Sequence, residues 1–173
     1  MTSDQRKLIE DKMNWAKGEF EANNGSLTPV CFVIHQGGIK AITVKWSDRS
    51  EKHAAYQQLS QIASDRCAET LLFVSDSWEA KVDRNDETGL PARYRSNRTE
   101  LLSADLIAPD GSVIATGRLP YVRLEDDQII WGEFEIVEPD PAKKVRLHQF
   151  MIPRWDIPAI FGYGGPARGE GTH

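Results

Sequence analysis

Cysteine is nearly absent from this chain: Cys31 and Cys67 are the only two in 173 residues, too few for a disulfide scaffold. Both thiols are expected to be buried and reduced, with one disulfide as the alternative. No apolar run approaches the roughly 18 residues that a membrane span needs. The opening Met1-Thr2-Ser3-Asp4-Gln5-Arg6-Lys7 has no apolar stretch behind it, which argues against a secretory signal. A cytoplasmic location is therefore the expectation. Basic residues are not in excess either. Lys and Arg number 21 against 26 Asp and Glu, for a formal net charge of −5. Nucleic-acid binding usually requires a basic surface, so it is not expected.

The usual catalytic signatures are missing as well. The four histidines, His35, His53, His148 and His173, form no H-x-H, H-x₃-H or H-E-x-x-H pair. With only two distant cysteines, no zinc site of recognisable type is present, and no metal or other cofactor is expected. There is no G-x-S-x-G elbow, Walker loop or dinucleotide fingerprint. Cys31 and His35 would share one face of a strand but stand about 13 Å apart, too far for nucleophile activation. No catalytic residue is assigned.

What the chain does contain is a readable order of elements. Residues 4–22 predict a helix capped by Ser3 or Asp4, with Ile9, Met13, Ala16 and Phe20 on one face. Val30-Cys31-Phe32-Val33-Ile34-His35 is an unbroken apolar run, as in a strand buried on both faces. Gln36-Gly37-Gly38 turns it into a second strand over 39–46. Asp48 and Glu51 stand at capping-box spacing before a helix whose apolar face is Ala55, Tyr56, Leu59, Ile62 and Ala63. A third strand covers 70–74, and its continuation through Trp78, Ala80 and Val82 is interrupted by polar residues. Residues 83–97 read as a long loop, beyond the usual 4–6 or so. Three antiparallel strands follow, roughly 98–108, 113–123 and 128–137. The first two are joined by Ala108-Pro109-Asp110-Gly111-Ser112, with Gly111 at the corner that needs φ > 0. Leu102, Leu106, Ile114, Ile130 and Phe134 are expected inside. One further short strand is read at 145–152.

This order predicts an α+β fold: a mostly antiparallel sheet of about six strands with two helices packed on one face. Residues 1–140 form a single domain and 141–173 a tail docked on the body or on a partner. The apolar strand, the glycine turn, the second strand ending in Trp46, the helix and then Phe73-Val74-Ser75-Asp76-Ser77-Trp78 together resemble a group of uncharacterised bacterial and phage proteins. Those carry a strand ending V-S-(E/D)-x-W. The resemblance spans about residues 5–122 and implies a similar fold in a bacterial or phage setting, without an assigned activity.

Two stretches are candidates for function. Ser75, Asp76, Trp78 and Glu79 interrupt an apolar strand, and polar groups there are costly unless partnered or lining a site. Arg93, Arg95 and Arg98 follow, so the region is either an ion-pair network or a site for an anionic small molecule. The second stretch is the tail. Residues 98–140 carry three Arg and ten Asp or Glu, a net −7; residues 141–173 carry five Lys or Arg and two Asp or Glu, a net +3. The tail combines that charge with Arg154, Trp155, Phe161 and Tyr163, and its Pro and Gly rule out a helix or a central strand. Such a segment docks extended: on its own body, on another subunit, or on a different protein. The expected function is a small cytoplasmic interaction or regulatory protein without catalytic activity, binding a protein partner or itself through this tail. The alternative is a ligand-binding domain or enzyme using the Ser75–Glu79 and Arg93–Arg98 region.

Overall fold

The structure, a computed structural model, describes residues 1–47, 49–80, 95–109 and 111–140, together with 153–154 and 160–161. Asp48, Arg93, Trp155, Tyr163, most of the 83–97 loop and the strand read at 145–152 lie outside the described residues.

Helix α1, Ser3–Ala22, buries Ile9, Met13, Ala16 and Phe20, the face given by their spacing. Its cap is Thr2, not Ser3 or Asp4. The Thr2 side chain accepts from the Gln5 N–H at 3.2 Å, and the Gln5 side chain accepts from the Thr2 N–H at 2.8 Å. Thr-x-x-Gln closes a reciprocal capping box, which satisfies two backbone donors at once. Helix α2, Arg49–Asp65, buries Tyr56, Leu59 and Ala63. Ser47 donates to Glu51 at its start, from both the backbone N–H and the hydroxyl at 2.7 Å.

The strands are β1 (Val30–His35), β2 (Gly38–Thr43), β3 (Thr70–Ala80), β4 (Arg98–Ile107), β5 (Val113–Arg123), β6 (Ile129–Trp131) and β7 (Glu135–Val137). They form one antiparallel seven-stranded sheet in the order β2-β1-β3-β4-β5-β6, with β7 also on β5. Two short strands, β8 (Pro153–Arg154) and β9 (Ile160–Phe161), pair with each other and lie against α2.

The fold is α+β, but the two helices pack on opposite faces of the sheet rather than on one. Strand alternation shows this directly. Val30, Phe32, Leu72, Val74, Leu102, Ala104 and Leu106 join the core under α1. Their immediate neighbours Cys31, Val33, Leu71, Phe73 and Ile107 join the core under α2. The central strands are therefore apolar on both sides, and the continuous run at β1 follows from that.

Two further expectations change. β3 runs unbroken through Ser75-Asp76-Ser77, because each polar side chain finds a partner on its own face. The strand read at 128–137 is split into β6 and β7, and Ile130 and Phe134 are exposed at 52% and 39%. Leu102 and Leu106 are buried as expected, and Ile114 is half-buried. The split has a local cause. Trp131 faces Tyr121 while Ile136 faces Gly117, so the register slips by one residue between them. Opposite the slip stands Pro120, whose carbonyl accepts from the Gly132 N–H at 2.8 Å. A proline has no donor to return, and bulges settle at such positions. One residue of slip reverses the alternation, so Ile129, Trp131 and Ile136 turn inward instead.

Candidate functional site

The five residues Ser75 to Glu79 do not form one site, because the pleat sends them to both faces of β3. Asp76 and Trp78 point to the α1 face. There the Tyr121 hydroxyl donates to Asp76 Oδ1 at 2.9 Å, and Trp78 Nε1 donates to Glu100 Oε1 at 3.2 Å. β4 and β5 place these partners, since Asp76 lies opposite Leu102, Trp78 opposite Glu100, and Glu100 opposite Tyr121. Burial pushes the Asp76 carboxyl above its usual range; the Tyr121 hydrogen bond works against that rise and the nearby Glu100 charge adds to it. Burial also raises the Tyr121 phenol, with the Asp76 charge in the same direction. Arg123 closes the cluster at the end of α1, donating to the Gly25 carbonyl at 2.7 Å. The indole of Trp78 is 47% exposed, so this cluster opens to solvent.

Ser75 and Glu79 point to the α2 face. Ser75, Ser77 and Ser103 form a triangle of hydroxyls with oxygens 3.0 to 3.3 Å apart. Next to it on β4 is Asp105, which is buried and accepts from the Thr116 hydroxyl at 2.7 Å. Burial lifts its carboxyl to about 6, against a smaller lowering by Thr116. Further along the same face Arg118 bridges Glu79 and Glu135, the latter at 2.7 Å.

Of the arginines read from sequence, Arg95 is half-buried just before β4, and Arg98 is exposed as the first residue of β4, opposite Ala80. Arg154 lies in β8 and Phe161 in β9. The residues that sequence reasoning missed are Tyr121, Arg123, Ser103, Asp105, Thr116 and Arg118. All lie on β4 and β5, at least 24 residues from the segment they complete. The one available signal was alternation, since odd and even positions of paired strands must share faces.

Cys31 is buried and its thiol is pushed up to about 12 by burial. Cys67 is exposed, so the expectation of two buried thiols holds for Cys31 alone; no disulfide joins them. Among the described residues no three His, Cys, Asp or Glu side chains converge to hold a metal ion, and no helix is long and apolar enough to cross a membrane. Comparison with protein-family models, with curated proteins and with solved structures finds no match to this chain.

Proposed function

We propose that this chain is a non-catalytic cytoplasmic interaction or regulatory protein that binds a protein partner, or a second copy of itself, through residues 141–173. The supporting observation is a set of exposed apolar side chains on the α2 face, at either end of the Arg118–Glu135 ion pair. Val122 is 59% exposed, its cross-strand neighbour Ile130 52%, and Val137 on β7 40%. The exposed acidic turn Glu125-Asp126-Asp127 adjoins the Val122–Ile130 pair, between β5 and β6. Apolar side chains beside an acidic turn complement a basic segment carrying Arg154, Trp155, Phe161 and Tyr163. β8 and β9 lie against α2, the helix on this same face.

A second reading rests on the Asp76 cluster. Asp76, Glu100 and Trp78 bring two carboxylates and one exposed indole to one solvent-facing end of the sheet, a chemistry suited to a small cationic ligand rather than an anionic one.

Native mass spectrometry of the full chain separates the two. Under the first reading the chain carries a second protein mass, which the Trp155→Ala/Phe161→Ala/Tyr163→Ala variant loses while its circular dichroism is unchanged. A full chain whose associated protein masses all survive those substitutions overturns it. A retained small-molecule mass lost in Asp76→Asn, with no protein mass lost in the triple variant, establishes the second reading instead.

A further inference from the structure

Among the described residues β2 is the terminal strand of the sheet and is hydrogen-bonded on one side only, to β1. The register between them is unbroken over six pairs, from Val30 opposite Thr43 to His35 opposite Gly38. Which backbone groups remain free follows from the ladder. The Val44 N–H donates to the Pro29 carbonyl at 2.8 Å, so Val44 faces β1. Alternation then turns Ile42, Lys40 and Gly38 toward β1 as well, and turns Ile39, Ala41 and Thr43 outward. These three residues present three N–H and three C=O groups along one straight edge. Edge strands are normally guarded by a proline, a bulge or several charges. From Ile39 to Thr43 there is no proline, no bulge and one charge, Lys40. Ile39 is 51% exposed at the same edge.

We infer that this edge pairs antiparallel with the same edge of a second copy, about a two-fold axis through Ala41. The pattern is self-complementary at that register. The smallest side chain of the strand sits on the axis, Ala41 against Ala41. Ile39 meets Thr43 of the second copy on each side, so all three outward residues pair with outward residues. Lys40 then lies opposite Ile42, not opposite another lysine. An axis through Lys40 would place two ammonium groups face to face, which is destabilising. The pairing is isologous, the commonest arrangement for two identical subunits. It joins the two sheets into one and covers the exposed Ile39. It uses a different surface from residues 141–173 and does not depend on the function proposed for them.

The test is sedimentation velocity of the full chain over a concentration series, with Ala41→Pro as the variant. Proline there removes an outward donor on the axis and no bond to β1. The expected result is a monomer–dimer equilibrium whose dissociation constant rises at least about tenfold in Ala41→Pro. A monomer at every concentration, or a dimer indifferent to Ala41→Pro, overturns the inference. If Ala41→Pro does not fold, cysteines decide the register in a Cys67→Ser background. Ala41→Cys is expected to form a covalent dimer on mild oxidation and Lys40→Cys is not, because only residues on the axis come within about 7 Å, Cα to Cα. Equal yields overturn the register. The Trp155→Ala/Phe161→Ala/Tyr163→Ala variant should still dimerise. Loss of the dimer there, with Ala41→Pro unaffected, assigns association to the C-terminal segment and sinks the β2 edge.

Discussion

Asp105 holds a carboxyl in the buried middle of β4, with a carboxyl pKa near 6 against an ordinary 3.8. Its proton is held more tightly in the folded chain than in the unfolded one. The stability it contributes is therefore complete below pH 3.8 and is lost as pH rises through about 6. About two pH units correspond to roughly 3 kcal/mol. Asp105→Asn keeps an acceptor for Thr116 and removes the titration. Urea unfolding at neutral pH should show this variant more stable by about 1–3 kcal/mol, with a flatter profile between pH 4 and 6. A loss of stability at neutral pH would show that the charged form is needed. Tyr121 acts in the opposite sense on Asp76, because its hydroxyl bonds to the carboxylate. Tyr121→Phe should raise the Asp76 pKa further, as read by carbon NMR of its carboxyl, and cost about 1–3 kcal/mol at neutral pH. Gly117 is a third residue set by its neighbours. A Cβ there would stand 2.5 Å from Ile9 Cγ2, so α1 rests on bare backbone at that point. Gly117→Ala should cost about 1–3 kcal/mol by overpacking. Ile9→Ala in the same chain should recover part of that cost, which a double-mutant cycle in urea would measure.

Among the elements, those with a local rule were legible and those with a distant partner were not. α1 followed from apolar spacing, and the β4–β5 turn followed from Gly111, which adopts φ +79° and donates to the Ala108 carbonyl at 2.8 Å. The cap lies one residue earlier than the sequence suggests, because Ser3 and Asp4 are good cap residues too and only the Thr2–Gln5 pair closes a reciprocal box. Thr2→Ala should lower the melting temperature through a loss of about 0.5–2 kcal/mol, whereas Ser3→Ala should leave it nearly unchanged. The sequence interrupts β3 between Val74 and Trp78, because Ser75, Asp76 and Ser77 look costly in a strand. Nothing near them in sequence announces Ser103 or Tyr121 as their partners. The β6–β7 slip was hidden for the same reason: Pro120 breaks the pattern on a neighbouring strand, not on the one that bulges.

For the whole molecule, the sheet separates two cores, one under each helix. Met13 is buried beneath α1 and Leu59 beneath α2. Met13→Ala and Leu59→Ala should each cost about 2–5 kcal/mol. Their effects in the double variant should add to within about 0.5 kcal/mol, because the two cavities open on opposite faces. A larger coupling energy in urea titrations would mean that the two cores are one. β3 and β4 lie at the centre and belong to both cores.

The sequence by itself determined the α+β class, the order of the elements, the inward faces of both helices and the turn at Gly111. Each of these depends on residues within one or two turns, or on neighbouring pleats, of one another. Tertiary structure decided which face of the sheet each helix covers, how Ser75 to Glu79 are shared between two faces, and where the last strand slips. A crossover can carry a helix to either face without changing its own pattern. The partners that make half-buried Asp76 and buried Ser75 and Asp105 tolerable arrive from strands far along the chain, through a register that only the assembled sheet sets.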